Sequence, residues 1–259
     1  MPRILLETIV TSLDDARAAA AGSADRFELC SAMPLGGLTP TLGTLGAIKA
    51  ELDVPVMCMI RPREGGMAYS EGELAAMERD LEHALAAGAD GIVFGILTEA
   101  AQVDLPRCRR FLARVERAAG GRAVQTVFHR AFDITADPAR ALEELIDLGV
   151  TRVLTSGRAP DAIDGLDEIR CTVEQAAGRI QVLPGGGIRL DNVAEVVRRT
   201  GVDQVHLYVT RDREDRSALA NPRIRFGMDA PPDEVRLRLA DEAAIRALRA
   251  RLDVLGDNA

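Results

Sequence analysis

Short apolar or β-branched runs alternate eight times with longer stretches whose apolar positions recur three and four residues apart. The runs predict strands over residues 3–10, 25–30, 54–60, 91–94, 124–129, 151–155, 179–183 and 204–208. The intervening stretches, rich in Ala, Leu, Glu and Arg, predict helices. Ser70, three residues before Glu73, predicts a capping box in which hydroxyl and carboxylate satisfy each other's free amides. Asp104 with Pro106, and Asp137 with Pro138, supply an N-cap and a first-turn proline. Gly88, Gly149 and Gly201 predict left-handed helix ends. Successive strands start roughly thirty residues apart, one strand–helix–strand unit each. Eight such units predict an α/β fold, a single (β/α)8 TIM-type barrel taking up residues 1–259. A doubly wound open sheet uses the same unit but usually fewer strands. Residues 211–233 break the alternation. They are polar, hold Asn221-Pro222 and Pro231-Pro232, and predict a loop at the mouth where such barrels bind ligands. A last helix over 241–255 places Ile245, Leu248, Leu252 and Leu255 on one face.

Composition narrows the class. The 259 residues are 47% hydrophobic and 28% charged, enough apolar material for a sizeable core, which excludes disorder. With 32 basic and 40 acidic side chains the net charge is -8, against a nucleic-acid binder. No apolar run reaches the roughly 18 residues of a membrane span. Glu7 interrupts the first apolar stretch, so no signal peptide is expected. Cys30, Cys58, Cys108 and Cys171 are scattered, without a C-x-x-C pair or zinc spacing, and predict a reduced, cytoplasmic protein.

In such a barrel the chemistry gathers where strands end. Those ends carry Glu7; Glu28 and Cys30; Arg61 and Arg63; His129 and Arg130 with Asp133 close behind; Ser156; Gly185, Gly186 and Gly187; and His206. Two of three histidines at strand ends is not a pattern a core needs. Side chains alternate along a strand, so Glu28 shares a face with Cys30, and Met57 and Met59 with Arg61 and Arg63. Charged residues do not face an apolar helix layer, so that parity faces the barrel axis and Cys58 packs outward.

The motifs Glu28-Leu-Cys30-Ser31, Gly36-Gly37-Leu38-Thr39-Pro40, Met59-Ile60-Arg61-Pro62-Arg63, Phe128-His129-Arg130-Ala131-Phe132-Asp133, Leu154-Thr155-Ser156-Gly157 and Pro184-Gly185-Gly186-Gly187 occur in that order. Together, from residue 4 to the C-terminal helix, they resemble the copper homeostasis protein CutC family. The resemblance implies a (β/α)8 barrel and a cytoplasmic protein that self-associates as a dimer or tetramer. It also implies a role in copper homeostasis with Cu(I) as the bound metal. Members of that family often carry a thiol beside that of strand two, at the end of strand one. Here the segment is Glu7-Thr8-Ile9, so Cys30 stands alone.

Two functions of different class follow. In one, the protein handles copper, with Cys30 as a soft Cu(I) ligand and Met57 and Met59 as thioether helpers or plain filler. In the other, it is an enzyme acting on a small phosphorylated or carboxylated substrate. Arg61 and Arg63 are then the clamp, Glu28 and His129 the candidate acid and base, and His206 assists. Arg130, Ser156 and the amides of Gly185, Gly186 and Gly187 extend that anion site, and Asp133 orients His129-Arg130. The structural alternative pairs Arg61 with Glu7 or Glu28.

Overall fold

The structure, a computed structural model, describes residues 3–221, 223–224 and 235–257. Eight strands are present: β1 Leu5–Val10, β2 Arg26–Leu29, β3 Val56–Met59, β4 Gly91–Phe94, β5 Gln125–Phe128, β6 Arg152–Thr155, β7 Gln181–Pro184 and β8 Gln204–Leu207. Each matches its expected position to within two residues. Seven helices follow the first seven strands: α1 Leu13–Ala21, α2 Leu42–Glu51, α3 Glu71–Ala86, α4 Leu105–Ala119, α5 Pro138–Asp147, α6 Leu166–Ala176 and α7 Val193–Thr200. The strands pair in parallel in chain order, and β1 lies between β2 and β8. A parallel bridge from Gly185 to His206 joins β7 to β8. Carried around all eight strands, the register returns to β1 displaced by eight residues, the stagger of a closed TIM barrel.

Local chemistry sets the boundaries. The Ser70–Glu73 capping box opens α3, and Asp104 and Asp137 cap α4 and α5 through the amides of Arg107 and Arg140. Gly201, at φ 73°, closes α7.

Strand alternation builds two cores. Phe27, Leu29, Cys58, Phe94 and Phe128 face the helices, where Phe94 stacks on Phe111 of α4 with ring centroids 4.8 Å apart. Met57, Met59, Val93, Val127, Leu154 and Leu183 fill the barrel axis together with Cys30. The stagger sorts inward residues into layers of four from alternate strands. One layer holds Glu7, Met57, Val127 and Leu183; the next, toward the carboxyl end, holds Glu28, Val93, Leu154 and His206. Ile9, Met59, His129 and Gly185 lie above these.

The amino end is closed by polar groups that the sequence reading did not single out. Arg26 donates through Nη2 to Gln204 at 2.9 Å. Arg152 donates to Gln181 at 3.0 Å and to Gln125 at 2.8 Å. These side chains face inward by the same alternation that orients Glu28.

The segment expected to be a loop over 211–233 is partly a strand. Strand β9, Thr210–Glu214, pairs antiparallel with β10, Arg236–Ala240, and a 3-10 turn spans Arg216–Ala220. Helix α8, Glu242–Asp257, follows. Pro222, Pro231 and Pro232 lie outside the described residues. The ribbon is exposed along most of its length, so it has no apolar face to leave an alternating signature. It is tied down where the Ala240 amide donates to Asp15 of α1 at 2.8 Å.

A Cβ at Gly91 meets the Met57 sulfur at 2.4 Å and the Gln125 carbonyl at 2.8 Å, whereas one at Gly46 of α2 meets nothing within 4 Å. Gly91→Ala is therefore expected to cost about 1–3 kcal/mol by overpacking. Gly46→Ala is expected to add about 0.5–1 kcal/mol by favouring the helix. Urea unfolding of the two variants should move the midpoint in opposite directions.

Candidate functional site

The site is built outward from Glu7. Its position on β1 is opposite Arg26 on one side and His206 on the other. Arg26 Nε ion-pairs with Glu7 Oε2, and His206 Nδ1 lies 2.7 Å from Glu7 Oε1. Burial works to raise the Glu7 pKa, but the Arg26 charge and the His206 hydrogen bond bring it far below the usual carboxylate range. The far nitrogen of His206, Nε2, faces Glu28 Oε2 at 3.6 Å. Burial lowers the His206 pKa, yet Glu28 and Glu7 outweigh it and the net shift is upward. The Glu28 pKa is raised, first by burial and further by the charge of Glu7, with His206 opposing. The result is an imidazole held between two carboxyls that favour its protonated form.

Cys30 adds a thiol to this cluster, its Sγ 3.4 Å from Glu28 Oε2. Burial and the neighbouring Glu28 push the thiol well above its ordinary pKa. Beyond Cys30 the chain doubles back, with Ser31 and Leu38 exchanging backbone hydrogen bonds of 2.9 and 2.8 Å. Gly37, at φ 85°, sits inside that loop. A Cβ there would lie 3.4 Å from Cys30 Sγ and 3.7 Å from Met33 Sδ, so two sulfurs border one glycine face. Met33 was not singled out from the sequence; it opens a single 3-10 turn, Met33–Leu35, too short to show a period, and only the two glycines after it hint at a fold-back. Glu7, Glu28 and His206 offer ligand atoms within 4.8 Å of one another.

A second group lies across the mouth. His129 Nδ1 accepts the Ala131 amide at 3.0 Å, which leaves the ring proton on Nε2, a buried atom with no partner. Burial, reinforced by the charge of Arg61, lowers the His129 pKa to about 3. Its ring lies over Gly95, where a Cβ would meet Cε1 at 2.3 Å. Arg61 pairs with neither Glu7 nor Glu28. Its Nη1 donates to the carbonyls of Leu35 and Gly37 at 3.0 and 3.1 Å, and Nη2 to that of Gly65 at 3.0 Å. Glu7 is already held by Arg26, which stands opposite it in the register.

The remaining candidates are engaged elsewhere. Arg63 is bound to Glu73 at 2.5 Å and to the carbonyls of Glu64, Gly66 and Ala68, over the Tyr69 ring. Arg130 donates to Asp133 at 2.8 Å and to Ser156 Oγ at 2.5 Å. Asp133 also accepts from Thr155 Oγ1 and from the amides of Ser156 and Arg158, so it fastens the loop after β6. Gly185 bridges to His206, Gly186 packs near Arg130, and the Asp161 carboxylate lies against Gly187. An acidic group thus occupies that face of the glycine turn.

The sequence model of the CutC family matches residues 4–210, which hold all eight barrel strands. The chain belongs to the CutC family. A CutC family protein of Treponema denticola is 43% identical over 244 residues, 93% of this chain and 97% of its own. The human copper homeostasis protein cutC homolog is 39% identical over 246 residues, 95% of this chain and 88% of its own. Among solved structures, one described as the copper homeostasis protein CutC of Streptococcus agalactiae has a TM-score of 0.71 at 32% identity. It covers 78% of this chain and 97% of its own. KGPDC from Streptococcus mutans, at TM-score 0.58 and 11% identity, shares the barrel fold alone. Of the CutC-like motifs read from the sequence, those carrying Glu28, Cys30, Arg61 and His129 end at the mouth, and all four side chains are buried.

Glu7→Gln leaves Arg26 and His206 buried without their anion and is expected to destabilise the protein by about 3–5 kcal/mol, measurable by urea unfolding. His129 gives a pH signature. Its folded pKa lies below the unfolded one, so its contribution is complete above about pH 6.5 and erodes as pH falls toward 3. Wild type is expected to lose stability relative to His129→Gln over that range, while the His129 ring resonances stay fixed from pH 8 to 5.

Proposed function

We propose that this chain acts in copper homeostasis, the role in the name of its human relative, and that it binds Cu(I) at the carboxyl end of the barrel. The observation that carries the reading is the pair of sulfurs, Cys30 Sγ and Met33 Sδ, bordering the bare face of Gly37. A thiolate and a thioether are soft donors suited to Cu(I). Glu28, 3.4 Å from the thiol, is placed to take its proton as the ion binds. Ile9, opposite Glu28 in the register, offers no second thiol, so the affinity is that of a one-thiolate site. Copper here is cargo.

The proposal extends to setting and assembly. All four cysteines are free, which suits a reduced, cytoplasmic setting, and the protein works as a dimer or tetramer. Residues 1–259 act as one barrel domain, a reading supported by the packing of α8 against α1 and α7. No described helix is long and apolar enough to cross a membrane. A second reading, acid–base chemistry on a small anion, draws support from the Glu28–His206 contact, where a carboxyl and an imidazole, both with raised pKa, meet.

Anaerobic competition against a chromophoric Cu(I) chelator tests the copper reading. Cys30→Ser is expected to lower affinity by at least about a hundredfold and Met33→Leu by about tenfold, as a thiolate outweighs a thioether. Unchanged affinity in Cys30→Ser would remove the basis for it.

A further inference from the structure

Three buried polar atoms on the inward face of the carboxyl end have no partner: Arg61 Nε, His129 Nε2 and Glu28 Oε1. Their residues are 7%, 4% and 2% exposed, so solvent does not satisfy them in bulk. An unpartnered buried donor or acceptor is costly, and three together at the ligand end of a barrel suit a bound ligand.

The character of the atoms says what. Among the described residues Arg61 has no ion-pair partner; its three hydrogen bonds to backbone carbonyls leave its charge uncancelled. A buried cation without a carboxylate calls for an anion. Extension of the β3–β4–β5 register places Arg61 opposite Gly95 and Gly95 opposite His129. Gly95 has no side chain, and the His129 ring lies over it, carried toward Arg61. His129 keeps the N–H of Nε2, and Arg61 that of Nε, an atom with no partner, so each oxygen of a planar carboxylate meets a donor. A carboxylate brings one negative charge to the one uncancelled guanidinium, whereas a phosphate dianion would bring more charge than Arg61 cancels. One layer inward of His129, Glu28 Oε1 lacks a donor, and a hydroxyl supplies it.

We propose that the mouth binds a small hydroxycarboxylate, its carboxylate held by Arg61 Nε–H and His129 Nε2–H and its hydroxyl by Glu28 Oε1. The site requires neither copper nor catalysis, and the sulfurs of Cys30 and Met33 take no part in it.

Isothermal titration of the full chain with lactate and with glycerate tests this. At least one should bind saturably, with acetate, which lacks the hydroxyl, and lactamide, which lacks the charge, at least about tenfold weaker. His129→Phe keeps a ring over Gly95 and is expected to lose at least about tenfold in affinity through the missing donor. Cys30→Ser is expected to bind the acid as wild type does, which separates this site from the copper reading. Because Arg61 also fastens two loops, the wild-type protein supplies the second measurement: the His129 Nε2 nitrogen resonance should shift as the acid is added. Undiminished binding by His129→Phe, or no binding of either acid with an unmoved Nε2 resonance, overturns the proposal.

Discussion

A carboxylate sealed inside a barrel must be answered by positive charge, and Glu7 is answered from both sides. The rest of the interior is arranged around that triad. Arg26, fixed by Glu7, reaches down to Gln204 and begins the polar closure of the amino end. His206, fixed through Nδ1, turns its other nitrogen up to Glu28, and Glu28 in turn faces Cys30. Desolvating three charged groups is costly, and their mutual attraction offsets it only because the geometry is close. The first strand of the chain therefore carries the residue that orients groups on the second and the last.

The two sides of the mouth are linked by one guanidinium. Arg61 Nη1 holds the carbonyls of Leu35 and Gly37, in the loop that lays Met33 against Cys30. Its Nη2 holds Gly65 in the next loop, and its Nε remains without a partner. An arginine read from the sequence as a clamp for a ligand is first a clamp for the protein's own loops. Arg63 has gone further, with all three nitrogens committed between Glu73 and the loop carbonyls.

The barrel was legible because its signals are local and repeated: eight apolar runs, capped helices and left-handed glycines. Parity was legible too, since alternation sends Cys58 outward and Glu28 inward without knowledge of the fold. Partnerships were not. Nothing local says that Glu7 meets Arg26 and leaves Arg61 alone, because the stagger between strands decides it. Met33 depends on a fold-back closed by Ser31 and Leu38, and the exposed β9–β10 ribbon has no buried face to pattern its sequence. Sequence reading thus located the chemistry by strand end, while the register chose who touches whom.

One feature of the closure bears on how this mouth responds to what enters it. Every other strand pair is joined at two to four residue pairs, whereas β7 and β8 are joined by a single β-bridge among the described residues, from Gly185 to His206. The last stitch of the barrel is the backbone of the residue that carries its central imidazole. A Cβ at Gly185 would lie 3.0 Å from that ring, so backbone and side chain at this point have no slack between them. Whatever alters the contacts of His206 therefore acts on the residue through which the seam is paired.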